Sequence, residues 1–408
     1  MTHYHQPMDR KDIIITGGGM VGLSMALAAA KNGLSVTVIE RTSMPAQLEA
    51  TFDGRVSALA LASVRLLRAL GAWNAMEPHA EPISDIRVSD GSSPFFLHYD
   101  HREVGSDPFG YIVENRYIRH ALQEAANNYP GITILENATI TGLATTPSHA
   151  TITLKDGTQI EASLVIAADG KFSTLRDLAG IRATTKDYGQ TAIVATIAHE
   201  KPHQGLAQER FLPAGPFAVL PMTEQRSSLV WVEPKDRVHI YMELSDSECE
   251  QEITERVGGH LGKITLAGKR FTYPLSLMHA DTYISERLAL IGDAAHAIHP
   301  IAGQGVNLGF RDVAVLEELL RKQREVGLDI GDAATLEHYQ RWRRFDNVSM
   351  VAVTDGLNHL FGINLLPVKI ARRMGMWGVD KMPGLKKFFM KHAMGLVGDL
   401  PESFKKVG

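Results

Sequence analysis

The sequence predicts an α/β fold: a β-α-β lobe, interrupted by a mostly antiparallel β-sheet lobe and followed by C-terminal helices. Three observations carry this. A glycine-rich turn, Gly17-x-Gly19-x-x-Gly22, separates the apolar run Ile13-Ile14-Ile15 from a stretch rich in Ala, Leu and Met. Residues 191–232 alternate repeatedly between apolar and polar, punctuated by Pro213, Gly215, Pro216 and Pro221. From residue 285 the chain returns to a buried-strand pattern, Leu288-Ala-Leu-Ile291, which ends in Gly292-Asp293.

The first element reads as a buried parallel strand, because Ile13 to Ile15 offer no polar face. In the turn, Gly17 permits the tight bend, Gly19 the close approach of a pyrophosphate, and Gly22 the contact of helix on strand. A helix over 20–32 then presents its first amides to phosphate, and 34–39 forms the next strand. Glu40 ends that strand. Its carboxylate can accept both ribose hydroxyls of an unphosphorylated adenosine, which favours FAD or NAD over NADP in a Rossmann-like site.

Beyond Arg55 the pattern predicts an amphipathic helix over 57–71, short strands of a second sheet at 83–88 and 95–98, and a helix over 115–128. Strands follow at 132–135, 138–143, 150–154 and 159–167, with Lys155-Asp-Gly157 as the hairpin corner between the last two. The last strand runs into Asp169-Gly170, where Asp169 can bond polar groups along an extended cofactor or cap the helix that follows. A further helix is expected over 333–357. These elements assign 10–75, 110–185 and 280–355 to the nucleotide lobe, 76–109 and 186–279 to a substrate lobe, and 356–408 to a helical extension.

The segment after Asp293 carries a more specific signal. A carboxylate at a strand end suits a sugar or ribityl hydroxyl, and Gly303, Gly305 and Asn307 open a helix. The positive end of that helix would stabilise charge at the pyrimidine edge of a reduced flavin, a need that NAD lacks.

Composition bounds the remaining classes. The formal net charge is −4, and no basic run with interleaved aromatics appears, so nucleic acid is excluded as a partner. The single cysteine, Cys249, forbids an intramolecular disulfide, and no convincing metal set is present. A polar N-terminus without an apolar signal core, and the lack of 18 uninterrupted apolar residues, make a cytoplasmic protein the expectation. Residues 357–408 qualify it with nine Lys or Arg against three Asp or Glu. Two helices separated by Met382-Pro-Gly384, basic and amphipathic, suit peripheral contact with the inner face of an anionic membrane, or simple packing on the body.

Taken in order, Gly17-x-Gly19-x-x-Gly22, Asp169-Gly170-x-x-Ser173-x-x-Arg176 and Gly292-Asp293 resemble the class A FAD-dependent aromatic hydroxylases, with the p-hydroxybenzoate hydroxylase fold. Asp53-Gly-Arg55, Glu114-Asn-Arg116 and His299-Pro-Ile-Ala-Gly-Gln-Gly305 followed by Asn307 resemble the ubiquinone-biosynthesis subfamily. The resemblance spans roughly residues 10–395. It implies FAD along Gly17, Gly19, Gly22 and Glu40, and Arg55 and Arg116 at the phosphate or ribityl part. Asp169 and Asp293 would lie on the cofactor path, and Pro300, Gly303, Gly305 and Asn307 along the ring. His299 would shape the flavin edge, with Pro300 beside the reacting centre, while His296 would be structural.

The implied reaction is hydroxylation of the aromatic ring of a polyprenylated phenol or quinone precursor, through a flavin C4a-hydroperoxide formed with molecular oxygen. NAD(P)H or another reductant serves as transient donor, since no second glycine fingerprint supplies a nicotinamide domain. A lipid carrier or biosynthetic complex is an implied partner. Competing readings are a lipid-chain reductase on the same scaffold and an inactive membrane-associated assembly component. The lack of a Trp-x-Trp-x-Ile-Pro run argues against a halogenase.

Overall fold

The computed structural model describes residues 10–44, 54–91, 93, 96–297, 305–363 and 365–405. Its first sheet joins β1 (Lys11–Thr16), β2 (Val36–Ile39), β8 (Ile132–Leu135), β9 (Ile140–Thr145), β10 (Ala150–Leu154), β11 (Gln159–Ala167), β18 (Ile284–Ser285) and β19 (Leu288–Leu290). The order is β18-β19-β11-β1-β2-β8, with β9 and β10 folded back on β11. β1 is central and pairs in parallel with both β11 and β2. Ile13, Ile14 and Ile15 are fully buried, as a parallel strand covered on both faces requires.

Helix α1 (Met20–Lys31) is buried almost all round, because the sheet lies on one side and α3 (Asn115–Asn127) and α6 (Gly305–Glu325) on the others. The expected hairpin is present, with β10 and β11 antiparallel from Thr153↔Gln159 and Gly157 at φ +87°.

The second sheet runs β20 (His296–Ala297), β17 (Phe271–Ala280), β12 (Ala183–His199), β15 (Arg226–Pro234), β14 (Gly215–Met222), β13 (Leu206–Leu212), β5 (Asp85–Asp90), β6 (Phe96–Asp100), with β16 (Ile264–Leu266) on β12. All pairs are antiparallel except β13 with β5. Period-two alternation gives this sheet two apolar faces. Ile193, Phe217, Val219, Leu229 and Trp231 pack outward against Cys249, Ile253 and Val257 of α5 (Asp246–Val257), a helix begun by a Ser245/Glu248 capping box. Phe217 and Trp231 are therefore sheet packing. Ala207, Leu220 and Met222 turn the other way, toward Leu61, Val56 and Ala58.

The predicted helix over 57–71 is corrected. Residues Val56–Ala60 form strand β3, and only Leu61–Leu70 are helical (α2). β3 pairs antiparallel with β7 (Gly110–Glu114), which also carries β4 (Ala80–Pro82), so ladder bonds from 50 residues away override the local helical pattern. The helix expected to stop at 357 continues as α7 (Ala333–Gly362). It is followed by α8 (Leu366–Lys381) and α9 (Pro383–Ala393), which meet at Met382.

Candidate cofactor-binding site

The carboxyl ends of β1, β2, β11 and β19 converge, and the crevice outside them is where such sheets hold ligands. Gly17 sits at φ +95°, and a Cβ there would lie 2.4 Å from the Ala168 carbonyl oxygen. A Cβ on Gly22 would lie 1.9 Å from the Gly17 carbonyl oxygen, so α1 approaches the turn as closely as backbone permits. Gly19 differs. It caps α1 with an extended backbone, φ −76°, and a Cβ there would meet nothing within 4 Å.

Two cavities meet at this turn. One, of about 410 Å³, is lined by Gly17, Glu40, Thr42, Ala138 and Asp169; the other, of about 390 Å³, by Met20, Val56, Asn115, Asp293 and Gly305. Gly19, Ala168 and Gly170 line both, so one trough runs from Glu40 to the start of α6.

Each polar wall group has a definite setting. One Glu40 oxygen accepts from the Gly18 amide at 2.7 Å, and the other from the Thr42 amide and hydroxyl at 3.0 and 2.8 Å. The glutamate thus shapes the turn as well as lining the cavity. The Asp169 carboxylate accepts from the Ser173 hydroxyl at 2.5 Å and the Thr174 amide at 2.8 Å, which is the capping role. Arg116 is exposed and pairs with Glu114 at 2.7 Å, while Glu114 also takes Arg226 of β15 at 3.0 Å. Arg55 is exposed and lies over the Tyr273 ring at 5.6 Å.

Asp293 is open to the trough, with protein closing around its other sides. Loss of bulk water pushes its carboxyl up, and the neighbouring His296 and Lys171 oppose the rise.

The Asn307 side chain is engaged by protein. Its carbonyl oxygen accepts from the Ala60 amide at 2.9 Å and the Ser63 hydroxyl at 2.8 Å, and its amide nitrogen donates to the Ala58 carbonyl at 2.8 Å. It ties α6 to the β3–α2 junction. The backbone at Gly305 and Val306 is what lines the trough. His299, Pro300 and Gly303, with Asp53, lie outside the described residues.

The sequence reading missed the centre that fixes the far wall. Asp312, fully buried on α6, accepts from the Gly292 amide at 2.8 Å, His296 Nε2 at 2.7 Å and Arg343 Nε at 2.7 Å. Arg343, also fully buried, donates onward to Asp346 and Asn347, each at 2.7 Å. Burial alone would raise the Asp312 carboxyl, but the neighbouring His296 and Arg343 hold it below the ordinary range. Arg176 adds a second tie, donating to the carbonyls of Lys171 at 3.0 Å and Ala294 at 3.2 Å. An acid and an arginine 31 positions apart, each mid-helix, leave no spacing signal. The structural reading of His296 agrees with its contacts.

A family model described as an FAD binding domain matches residues 10–350. The ubiquinone hydroxylase UbiL of Rhodospirillum rubrum is 48% identical over 391 residues, covering 96% of this chain and 91% of that protein. This chain belongs to the ubiquinone-biosynthesis hydroxylases. Another member, 3-demethoxyubiquinol 3-hydroxylase of Escherichia coli, is 35% identical, covering 94% of this chain and 98% of that one. Solved structures share the fold. The p-nitrophenol 4-monooxygenase PnpA of Pseudomonas putida aligns with TM-score 0.77 at 19% identity, covering 95% and 98% of the two chains. HpxO of Klebsiella pneumoniae, complexed with FAD, aligns at 0.72 and 17%, covering 95% and 99%.

This hydroxylase is thus an FAD-dependent aromatic monooxygenase, and its trough fits the cofactor. The fit rests on the open cradle at Gly19, an acid at each end of a continuous cleft, and the helix N-terminus of α1 beside the cradle.

Proposed function

We propose that this hydroxylase acts on the ring of a polyprenylated phenol or quinone precursor, using molecular oxygen and electrons from NAD(P)H or another transient donor. The observation that carries the reading is where the trough leads: its Val56 wall is continuous with the apolar inner face of the second sheet, through Leu61, Leu220 and Met222. The name of the Escherichia coli relative, a demethoxyubiquinol hydroxylase, supports the same substrate class.

FAD, when bound and reduced, supplies the activation of dioxygen. The protein's part is to bind, orient and exclude water. Amides at Gly19 and the first turn of α1 face the pyrophosphate, with Gly17 and Gly22 giving the close approach. Glu40 receives the adenosine ribose and Asp293 the ribityl hydroxyls, and the family resemblance assigns Arg55 and Arg116 to the phosphate or ribityl part. Asp169 acts through the helix it caps, and the Gly305 end of α6 faces the pyrimidine edge. The family resemblance also assigns His299, Pro300 and Gly303 to the ring environment. Val21, Val56 and Val306 keep the ring end dry, which limits loss of activated oxygen to solvent. Contact with an anionic membrane through α8 and α9 would deliver the substrate. Among the described residues no helix is long and apolar enough to cross a membrane.

With a reductant, a prenylated phenol and isotopically labelled O2, one labelled hydroxyl is expected in each product molecule, read by mass spectrometry. A saturated or unlabelled product from fully FAD-loaded protein would reject the reading. Asp293 gives a pH prediction. Its proton binds above the ordinary carboxylate value of about 4, so FAD retention should decline as pH falls through that raised value. Asp293→Asn should flatten the profile in equilibrium dialysis, and an unchanged profile would remove Asp293 from the cofactor path.

A further inference from the structure

An apolar cavity lies away from the flavin trough. It has a volume of about 510 Å³ and lies between the inner face of the second sheet and the C-terminal helices, walled by Val88, Leu97, Phe211, Met376, Val379 and Phe389. We propose that this cavity holds the isoprenoid tail of the substrate. The inference rests on the substrate class proposed above.

The lining decides the chemistry of the occupant. Arg372, the cation in the wall, is buried and already engaged: it donates to Asp90 at 3.0 and 3.2 Å and to the carbonyls of Leu360, Phe361 and Ile363 at 2.7, 3.0 and 3.0 Å. Those bonds satisfy the C-terminal carbonyls of α7 and fasten α8 to the end of β5. Phe361 stacks on Phe211 at 3.9 Å and closes the same corner. Apart from Tyr99 and Glu209, what remains facing the space is hydrocarbon, so an apolar chain is stabilised there by leaving water.

The path from the ring site is on the same face. A Cβ on Gly54 would meet Phe271 of β17 at 2.8 Å and Val194 of β12 at 3.5 Å, and Arg55 lies over Tyr273 of β17, which places the approach to the Val56 wall at that end of the sheet. From β12 the order β15, β14, β13, β5 crosses four strand spacings, about 19 Å, before reaching Val88 in the cavity wall. At the register of Val194 that crossing is Val230, Ala218 and Glu209, apolar up to the carboxylate beside the cavity. A short prenyl chain ends on the sheet, whereas a long one reaches the cavity. The roof is also the most apolar exposed surface of the described residues: Ile370, Met374 and Trp377 of α8 are 49%, 67% and 58% exposed, beside exposed Lys381, Lys387 and Lys391. Such a basic and apolar surface suits an anionic bilayer from which the tail is drawn.

Gly375 supplies a fold-safe test. It lines the cavity in mid-helix, a Cβ there meets nothing within 4 Å, and a larger side chain raises helix propensity. Binding of phenols carrying two or six isoprene units is measured on FAD-loaded protein without reductant, for wild type, Gly375→Leu and Gly375→Trp. The wild type should bind the six-unit phenol at least tenfold tighter than the two-unit one, and Gly375→Trp should abolish that gain while FAD content and two-unit binding stay unchanged. Gly375→Leu should fall between. A chain-length gain that survives Gly375→Trp would overturn the proposal. So would an equal gain from a fatty acid of matching length, which would assign the cavity to membrane lipid. Because turnover is not read, a wild-type gain abolished by Gly375→Trp, beside absent ring hydroxylation, sinks the proposed reaction and leaves the tail site standing.

Discussion

Arg343→Leu is expected to destabilise the protein by about 3 to 5 kcal/mol, because it strands a buried carboxylate without its main counter-charge. Asp312 and Arg343 are both fully buried and joined at 2.7 Å, and the Gly292 amide hangs on the same carboxylate. Urea denaturation of the FAD-free protein reads the loss. The double change Asp312→Leu with Arg343→Leu should recover part of it, since removing both charges also removes their desolvation. Recovery stays partial because His296 and the Gly292 amide lose their acceptor. The sign with pH follows. A carboxyl held below its unfolded value contributes stability that is present above about pH 4 and lost as pH falls through the lower folded value. A cost under about 1 kcal/mol for Arg343→Leu would mean the pair is solvated as exposed pairs are.

The second large effect separates two glycines of one motif. Gly19→Ala should yield a folded protein that purifies colourless, because its methyl enters open space in the cradle that the pyrophosphate needs. Its extended backbone accepts alanine without strain. Gly22→Ala should instead damage the fold, because its methyl would lie 1.9 Å from the Gly17 carbonyl oxygen and α1 must move off the sheet. The expected cost is about 3 kcal/mol, the upper end for overpacking. Thermal melts and flavin release on denaturation read the two effects separately. Equal melting temperatures for the two variants, or full flavin content in Gly19→Ala, would contradict the assignment of roles.

Much of this site was legible because its chemistry is local. The turn at Gly17 to Gly22, the acid ending β2 and the acid after β19 are each set by their immediate neighbours along the chain, and they line one trough. The failures share a different cause. Residues 57–60 read as helix because their composition suits one, yet ladder bonds to β7 make them a strand. The Asn307 side chain, likewise, joins α6 to backbone about 250 positions earlier, a contact that no spacing records.

The sequence by itself determined the α/β class, the cofactor and the acids at the two ends of the trough, since these depend on backbone conformation and charge within a few residues of each motif. Only the tertiary structure decided how the far wall is held and where the substrate lobe opens. Asp312 and Arg343 gain meaning when two helices cross, and the cavity under α8 exists only where those helices close over the second sheet. Burial and pairing are properties of the packed chain, and no spacing along it records them.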